Sequence, residues 1–474
     1  MMVFDGLGPQ YATLARHVKG SPLALDSAVA GLVSTSSAAS AVTDSAASAT
    51  AYATGRVTLN GRVGVAAQGE AAGTVLEGAK QRGMRTGVVS TAKLTHATPA
   101  AFTSHVDSRS SAYDIAEQQR LLKPDVMLGG GAQHHSRAQA TQAGFAYAGN
   151  TSEMLAAIGA FKTDVLSETA SAVPVLGAFT SGHMSYDLDR QRFAPNEPSI
   201  KDMTLAAIDA LSASSGGSEE PFFLMVECAR VDHAGHDNNA LLAATDAIAC
   251  DAAVEAVLER VSERDDTLFV GVADHETGGL SVGCCGGYTT NLGVLASATS
   301  SPEGVCADAL ALMVEVGSPL NAAVALDVAL ANAGIDAAAV RSTSSSDVAS
   351  AEAALASSVA SLNGAMDGAS AAALFAGSHA SMSSYYLQKA IGRAAYVGWT
   401  TGSHTASDVT LYAAGVGAEA LRGRVMTNAE LGTAVIGLLN VDTKAGYEMA
   451  VEAGAGTGDG RAVLDTPTTG NEQD

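Results

Sequence analysis

Positive charge is what this chain of 474 residues has least of. Lys and Arg number 26 against 49 Asp and Glu, a formal net charge of −23. Such a surface repels nucleic acid and anionic membrane, and argues against a nucleic-acid-binding domain. It repels a free anion as well, so any anion site must concentrate positive charge locally. An acidic, lysine-poor, alanine-rich surface fits both adaptation to salt and ordinary acidic solubility. No uninterrupted apolar run reaches the length of a membrane span. The opening MMVFDGLG lacks the basic and apolar regions of a signal peptide. That pattern suits a cytoplasmic chain or one that starts after a processed leader. The five cysteines (Cys228, Cys250, Cys284, Cys285 and Cys306) include no CxxC pair, which argues against a cysteine zinc site. The adjacent Cys284 and Cys285 are not expected to pair with each other, and one disulfide among the others is compatible with the spacing. No exact internal repeat is present.

What is there reads as α/β. Short apolar, β-branched runs predict strands near 1–4, 86–92, 125–129, 222–227, 267–273 and 409–414. Helical patterns predict helices at 70–82, 202–213 and 240–261. Alternation of this kind predicts a large, mostly parallel central sheet flanked by helices on both faces. The stretch 286–400 is rich in Ala, Ser and Gly and sparse in charge. It lies between two segments that carry chemistry, so it is expected to be an insertion within one catalytic domain spanning 1–474. Its spaced Leu, Val and Met support helices over disorder.

In doubly wound sheets ligands gather beyond the carboxyl ends of the strands. MMVF is followed by Asp5. The strand at 86–92 runs into Lys93, His96 and Thr98. FFLMVE ends on Glu227, with Asp232 and His236 just after it. TLFVGVA leads to Asp274 and His275. Neutral imidazole and carboxylate oxygen are zinc-type ligands, and all-oxygen sets suit magnesium. Each residue also has a plain structural reading: Asp5 capping a turn, Glu227 ending a strand in solvent, a lone DxxxH on a wet face. Asp44 and Ser45 begin an alanine-rich segment, VTDSAASATAYATG, where Asp44 suits a helix cap and Ser45 the positive end of the helix. His17, His105, His134, His135, His183 and His379 lack such context and read as structural or surface residues.

Together these segments resemble the alkaline phosphatases. TDSAASATAYATG is similar to that family's nucleophile signature. FDGLG, THATPAAFTSHV, Ser108-Arg109, VECARVDHAGH, ADHETGG and TGSHT resemble its other site segments, in the family's order from Asp5 to His404. The resemblance implies that Ser45 is the nucleophile that becomes phosphoserine and that Arg109 grips two phosphate oxygens. It implies one zinc held by Asp232, His236 and His404. A second zinc would be held by Asp5, Asp274, His275 and the Ser45 oxygen. A magnesium would be held by Asp5, Thr98 and Glu227. The implied cofactors are thus two Zn2+ and one Mg2+, the implied substrates small phosphate monoesters. The implied assembly is a homodimer, the implied location periplasmic or secreted, and the 286–400 insertion would be a crown-like region.

The sequence departs from the family pattern in places. Phe4 stands where glycine is usual. His96 stands where some members carry a carboxylate near the magnesium, a substrate-side position at which histidine would admit zinc to the third site. His233 stands where others have lysine. His404 precedes its strand and is expected to arrive on a loop. Alternatives within the superfamily are a phosphodiesterase or a phosphonate hydrolase; a sulfatase lacks its CxPxR-type motif here. Arg109 favours monoesters, because a diester has too few free oxygens for a bidentate grip. Readings from other classes are a binding protein that keeps the fold without the chemistry, and a structural protein that binds no metal.

Overall fold

The computed structural model describes residues 1–167, 172–214, 221–315, 321–361 and 382–455. At its centre is a ten-stranded sheet. In chain order its first eight strands are β1 (Met2–Val3), β2 (Val29–Ser34), β3 (Arg85–Lys93), β4 (Val126–Gly130), β5 (Ala146–Ala148), β6 (Val175–Ala178), β7 (Phe222–Glu227) and β8 (Leu268–Val272). Four two-residue strands follow: β9 (Glu276–Thr277), β10 (Ser281–Val282), β11 (Val397–Gly398) and β12 (His404–Thr405). The last two, β13 (Val409–Gly415) and β14 (Val425–Thr427), return to the large sheet. Its order is β14-β2-β13-β8-β1-β7-β3-β4-β6-β5.

Every neighbouring pair in this sheet is parallel except the two made by β13, which runs antiparallel to β2 and β8. The mostly parallel sheet expected from the sequence is therefore what forms. All six predicted strands are present. Four others, β2, β5, β6 and β14, carry too weak a pattern to stand out: β2 reads VAGLVS with a glycine in its middle, and β5 and β14 have three residues each. β7 is buried along nearly its whole length, which explains why it reads as an unbroken apolar run and not as an alternation. Phe4, Tyr52, Phe102 and Met127 are among the largest fully buried side chains.

The predicted helices form with shifted ends. The one expected at 70–82 is Val75–Gln81, because Thr74 and Glu77 make a capping box that fixes its start. Ile200–Leu211 starts at the Ser199/Asp202 box in the same way. Ala240–Ser262 matches the third. Between β10 and β11 the described residues are helical. Leu310, Leu326, Leu330, Leu355 and Leu387 are buried there, and β11 closes the segment by pairing antiparallel with β10. No helix among the described residues is long and apolar enough to cross a membrane.

Two cysteine expectations are settled differently. Cys228, just past β7, is bonded to Cys250 on the Ala240–Ser262 helix. Cys284 and Cys285 are bonded to each other, contrary to expectation: the tight turn after β10, with Cys285 at φ 72°, brings their sulfurs together. Cys306 is a buried free thiol.

The topology delivers the candidate residues to one place. β8, β1, β7 and β3 are consecutive and parallel, so the residues that follow them emerge at a common end of the sheet. β13 is reversed, so what precedes it arrives at that same end, and His404 precedes it. His404 is not on a loop: β12 pairs with β9 directly after His275.

Gly6 makes the turn after Asp5 with φ 73°, and a β-carbon there would lie 2.7 Å from the Asp232 backbone. Gly6→Ala is therefore expected to lower the unfolding free energy by about 2–3 kcal/mol, from left-handed strain plus the clash. Urea denaturation measures it, and a loss under about 0.5 kcal/mol would show that this turn yields.

Candidate active site

Ser45 is the first residue of the helix Ser45–Thr54, and Asp44 is its cap. Asp44 Oδ1 accepts from the Ala47 amide at 2.9 Å. Its Oδ2 accepts from the Gly61 amide at 2.8 Å and from Arg109 at 3.2 Å. Asp44 thus caps the helix and orients the guanidinium together. The alanines and small residues that follow Ser45 are all buried, which lets the helix lie tightly under the site.

Three clusters of ligand-type atoms lie beside Ser45. In each, the atoms are within 4.8 Å of one another: Asp232, His236 and His404; Asp5, Asp274 and His275; and Asp5, His96 and Glu227. Asp5 belongs to two of them. Thr98 is buried at the start of the Ala97–Thr103 helix, just after His96. The site residues read from the sequence are therefore brought together, and His96 joins Asp5 and Glu227.

The histidine tautomers follow from their partners. His236 Nδ1 faces the Gly402 carbonyl at 2.8 Å, and His404 Nδ1 faces the Thr43 carbonyl at 2.9 Å. A carbonyl only accepts, so both Nδ1 atoms carry the proton. The Thr277 hydroxyl donates to Asp232, so it accepts from His275 Nδ1 at 3.2 Å. All three rings consequently turn the Nε2 lone pair inward. Two of these, on His236 and His404, meet at 3.0 Å, with Asp232 Oδ2 at 3.3 Å from the former. His275 Nε2 accepts from the Ser45 hydroxyl at 3.1 Å, with Asp274 at 3.4 Å and Asp5 at 3.5 Å. The His275 and His404 rings stack at 3.5 Å, joining the two clusters.

Lone pairs and carboxylate oxygens converging this closely repel one another. Asp5, Glu227, Asp232 and Asp274 are all fully buried. Both oxygens of Asp5, and Thr98 Oγ1, Glu227 Oε1, Asp232 Oδ2, Asp274 Oδ2 and His96 Nδ1, have no hydrogen-bond partner. Buried polar atoms are normally satisfied, and here a group of the exceptions falls together on the candidate ligands. The donor set fits cations: one cluster has two imidazoles and one carboxylate, and the other two each have one imidazole and two carboxylates.

The electrostatics carry the same message. Burial, then Asp274, Asp232 and Glu227, push Asp5 well above the usual carboxylate range. Burial, then Asp232 and Glu227, push Asp274 up to about 7. Asp232 goes the other way: burial raises it, but His236, His404 and His275 outweigh burial and hold it low. Burial, then His404, keeps His275 neutral.

At the rim, Arg109 donates to His96 Nε2 at 3.1 Å. A guanidinium cannot accept, so the His96 proton is on Nδ1, which faces Glu227 at 4.0 Å. His96 is edge-on to His183 and His233, with ring centres 5.2 and 5.7 Å away. Arg230 donates to His233 Nδ1 at 2.7 Å. The sequence reading left His183 as structural or surface, yet it comes to the site from the segment after β6. Its Nδ1 accepts from the Lys93 amide at 3.3 Å. No spacing in the sequence marks it, because it approaches from a loop of its own. His17 is exposed, and His135 is buried against Gln119. His134 packs under Tyr113, and His379 lies outside the described residues.

A serine at a helix start, a guanidinium held over it and cation-ready clusters at the carboxyl ends of a parallel sheet define an α/β enzyme equipped for a phosphate ester. The comparisons give its family. A family model described as alkaline phosphatase matches residues 1–440. The chain is 30% identical over 465 residues to alkaline phosphatase 3 of Bacillus subtilis (strain 168), over 94% of this chain and 89% of the relative. It superposes on a cold-active alkaline phosphatase from the psychrophile Shewanella sp. with a TM-score of 0.73 and 28% identity, covering 92% of this chain and 98% of that one. A histidine-to-aspartate variant of the alkaline phosphatase from the Antarctic bacterium TAB5, with magnesium in its M3 site, shares the fold at TM-score 0.62 and 20% identity, covering 93% and 97%. The chain belongs to the alkaline phosphatase family and is a phosphatase.

In chelator-treated protein the raised carboxyls fix a pH dependence. Asp5 and Asp274 prefer the protonated form when folded, so their cost is absent below the ordinary aspartate value of 3.8 and is complete for Asp274 above about 7. Asp232, held low, acts only below 3.8, and the histidines that burial keeps neutral, His275 and His233 among them, work against the two carboxyls below 6.5, so the carboxyl effect is read by difference. In chelated protein Asp274→Asn is expected to raise the melting temperature, by more as pH rises from about 4 to about 7. A flat difference without metal would contradict the buried-carboxylate account.

Proposed function

We propose that this phosphatase hydrolyses phosphate monoesters through a phosphoserine on Ser45, with two zinc ions and a magnesium. The observation that carries the reading is the inward Nε2 triad of His236, His404 and His275, with the Ser45 hydroxyl 3.1 Å from the last. Asp232, His236 and His404 would hold one zinc. Asp5, Asp274, His275 and the Ser45 oxygen would hold the other. Asp5, Thr98 and Glu227, with His96 beside them, would hold magnesium, or zinc through the imidazole. Bound there, these cations would activate the serine and a water and offset the phosphate charge.

The protein residues supply the rest. The helix start leaves Ser45 Oγ facing the cluster, so it can attack phosphorus in line with the departing ester oxygen. Ser45 loses its proton as the O–P bond forms, and the alcohol oxygen gains one as the ester bond breaks. Water then attacks the phosphoserine, releasing phosphate and restoring Ser45. Asp44 sets the plane of Arg109, whose fork matches two phosphate oxygens. We read residues 1–474 as one catalytic domain with 286–400 as its insertion, the assembly as a homodimer and the location as periplasmic or secreted. The family supports these three.

Turnover of p-nitrophenyl phosphate beside its bis-ester, with zinc and magnesium present, tests the reading. A monoester rate at least about 100-fold above the diester rate is expected, and a dominant diester rate would overturn it. Ser45→Ala is expected to lower monoester kcat by about 1,000-fold or more while zinc, measured by atomic absorption, remains bound. His96→Asp replaces an imidazole with a hard oxygen ligand. It is expected to move the third site's preference toward magnesium by about tenfold, read by metal competition in calorimetry.

A further inference from the structure

His105, near the end of the THATPAAFTSHV segment but no candidate ligand, forms a buried pair with Glu77. His105 is 6% exposed and Glu77 1%. The ring makes two contacts: Nε2 with Glu77 Oε1 at 2.9 Å and Nδ1 with the Gly64 carbonyl at 2.7 Å. Glu77 Oε2 accepts from the Thr74 amide at 2.8 Å, so the carboxylate is fixed in its capping box. Gln118 fixes the backbone of His105, accepting from its N–H at 2.7 Å and donating to its C=O at 3.1 Å. A carboxylate and a carbonyl both accept, so the ring that satisfies both is an imidazolium.

The Gly64 carbonyl belongs to a short splint, residues 60–64, between the nucleophile helix and the Arg109 segment. Asn60 accepts from the Asp44 amide at 3.1 Å. Gly61 donates its amide to Asp44 Oδ2 at 2.8 Å and accepts the Arg109 amide at 2.7 Å. Val63 and Val106 exchange two backbone hydrogen bonds, at 3.0 and 2.9 Å. Gly64 donates to Thr50 on the Ser45 helix at 3.0 Å. Its φ of 62°, and a β-carbon position only 2.1 Å from the Ser104 carbonyl, leave space for nothing but glycine. Two of the holds on Arg109, through Asp44 and through Gly61, therefore depend on where this splint lies.

We propose that His105 is a positioning residue for the phosphate grip, fastening the 60–64 splint on which Asp44 and Arg109 are hung. The proposal rests on the reading that Arg109 binds phosphate. The titratable groups facing His105 are Glu77 from the Val75–Gln81 helix and Tyr447 from the Thr443–Glu452 helix, whose ring is edge-on at 4.8 Å. The Tyr447 phenol is raised above its usual value of 10.0, mainly by burial, and stays neutral where histidine titrates. Burial works to lower the His105 value, but the Glu77 charge, the Glu77 hydrogen bond and the Gly64 carbonyl outweigh it and raise it above 6.5. The imidazolium and both its bonds are thus present below that raised value. One bond is lost as pH rises through it.

The test is the inhibition constant for inorganic phosphate against pH, in the metal-loaded enzyme and in His105→Gln, Arg109→Ala, the double variant and Glu77→Gln. His105→Gln is expected to raise the constant about tenfold at neutral pH, with kcat changed less than about twofold, and to do nothing further in the Arg109→Ala background. Arg109→Ala with an unchanged constant would sink the reading of Arg109 itself. A raised constant in Arg109→Ala, with His105→Gln either silent or equally effective in both backgrounds, would overturn the positioning proposal alone. Glu77→Gln keeps a side-chain acceptor and removes the charge. It is expected to move the pH at which phosphate binding weakens down by about one unit, and an unmoved profile overturns the proposal even where His105→Gln fails to fold.

Discussion

Four carboxylates buried within one pocket are the constraint on which the rest of this structure depends. Asp5, Glu227, Asp232 and Asp274 are taken out of water at the carboxyl ends of adjacent strands, in a chain with little positive charge to spare. His236, His404 and His275 are each anchored through Nδ1 to a carbonyl or hydroxyl, so they turn their lone pairs inward. A cavity of this kind is stable and useful only with cations in it. The same cations explain how an acidic protein attracts a dianion. Net surface charge and site charge are separate quantities here, and the site is built to reverse the sign locally.

Rigidity around the pocket follows from that need. The Ser45 helix, its Asp44 cap, the Arg109 segment and the 60–64 splint are linked mainly through backbone amides and carbonyls. Those groups keep their geometry whatever occupies the site. Arg109 and His96 share a hydrogen bond at the border between phosphate and the third cluster. The His96 nitrogen that faces Glu227 carries the proton while the guanidinium donates to the other. A cation held through that nitrogen would need its proton moved to the other, which would end the Arg109 bond, so this one ring ties the third cluster to the guanidinium.

The sequence disclosed the parts of the protein whose physics is local. The β-branched runs of β3, β7, β8 and β13 showed because both faces of the central strands are buried, and the strand-end position of Asp5, Glu227 and Asp274 follows from a parallel sheet. Capping chemistry marked Asp44, though only the fold shows that its second oxygen also holds Gly61. His183 and the His105–Glu77 pair stayed hidden because their partners are distant in sequence and neither spacing nor periodicity records a loop's path. The Cys284–Cys285 bond was missed for a similar reason. Adjacency alone gives no sign of the positive-φ turn that folds the two sulfurs together. His404 looked anomalous ahead of its strand, and the reversed direction of β13 removes the anomaly.

That reversed strand has a consequence for the life of the chain before it works. Asp5 is made before His404, and about 400 residues separate them. The cluster they frame closes only when β13 and β12 dock against strands laid down long before. During synthesis the nascent sheet carries unneutralised acids on β1, β7 and β8 beside an open edge of β8, with non-local closure still to come. A chain in synthesis thus carries a half-built acidic pocket until β12 and β13 emerge and dock.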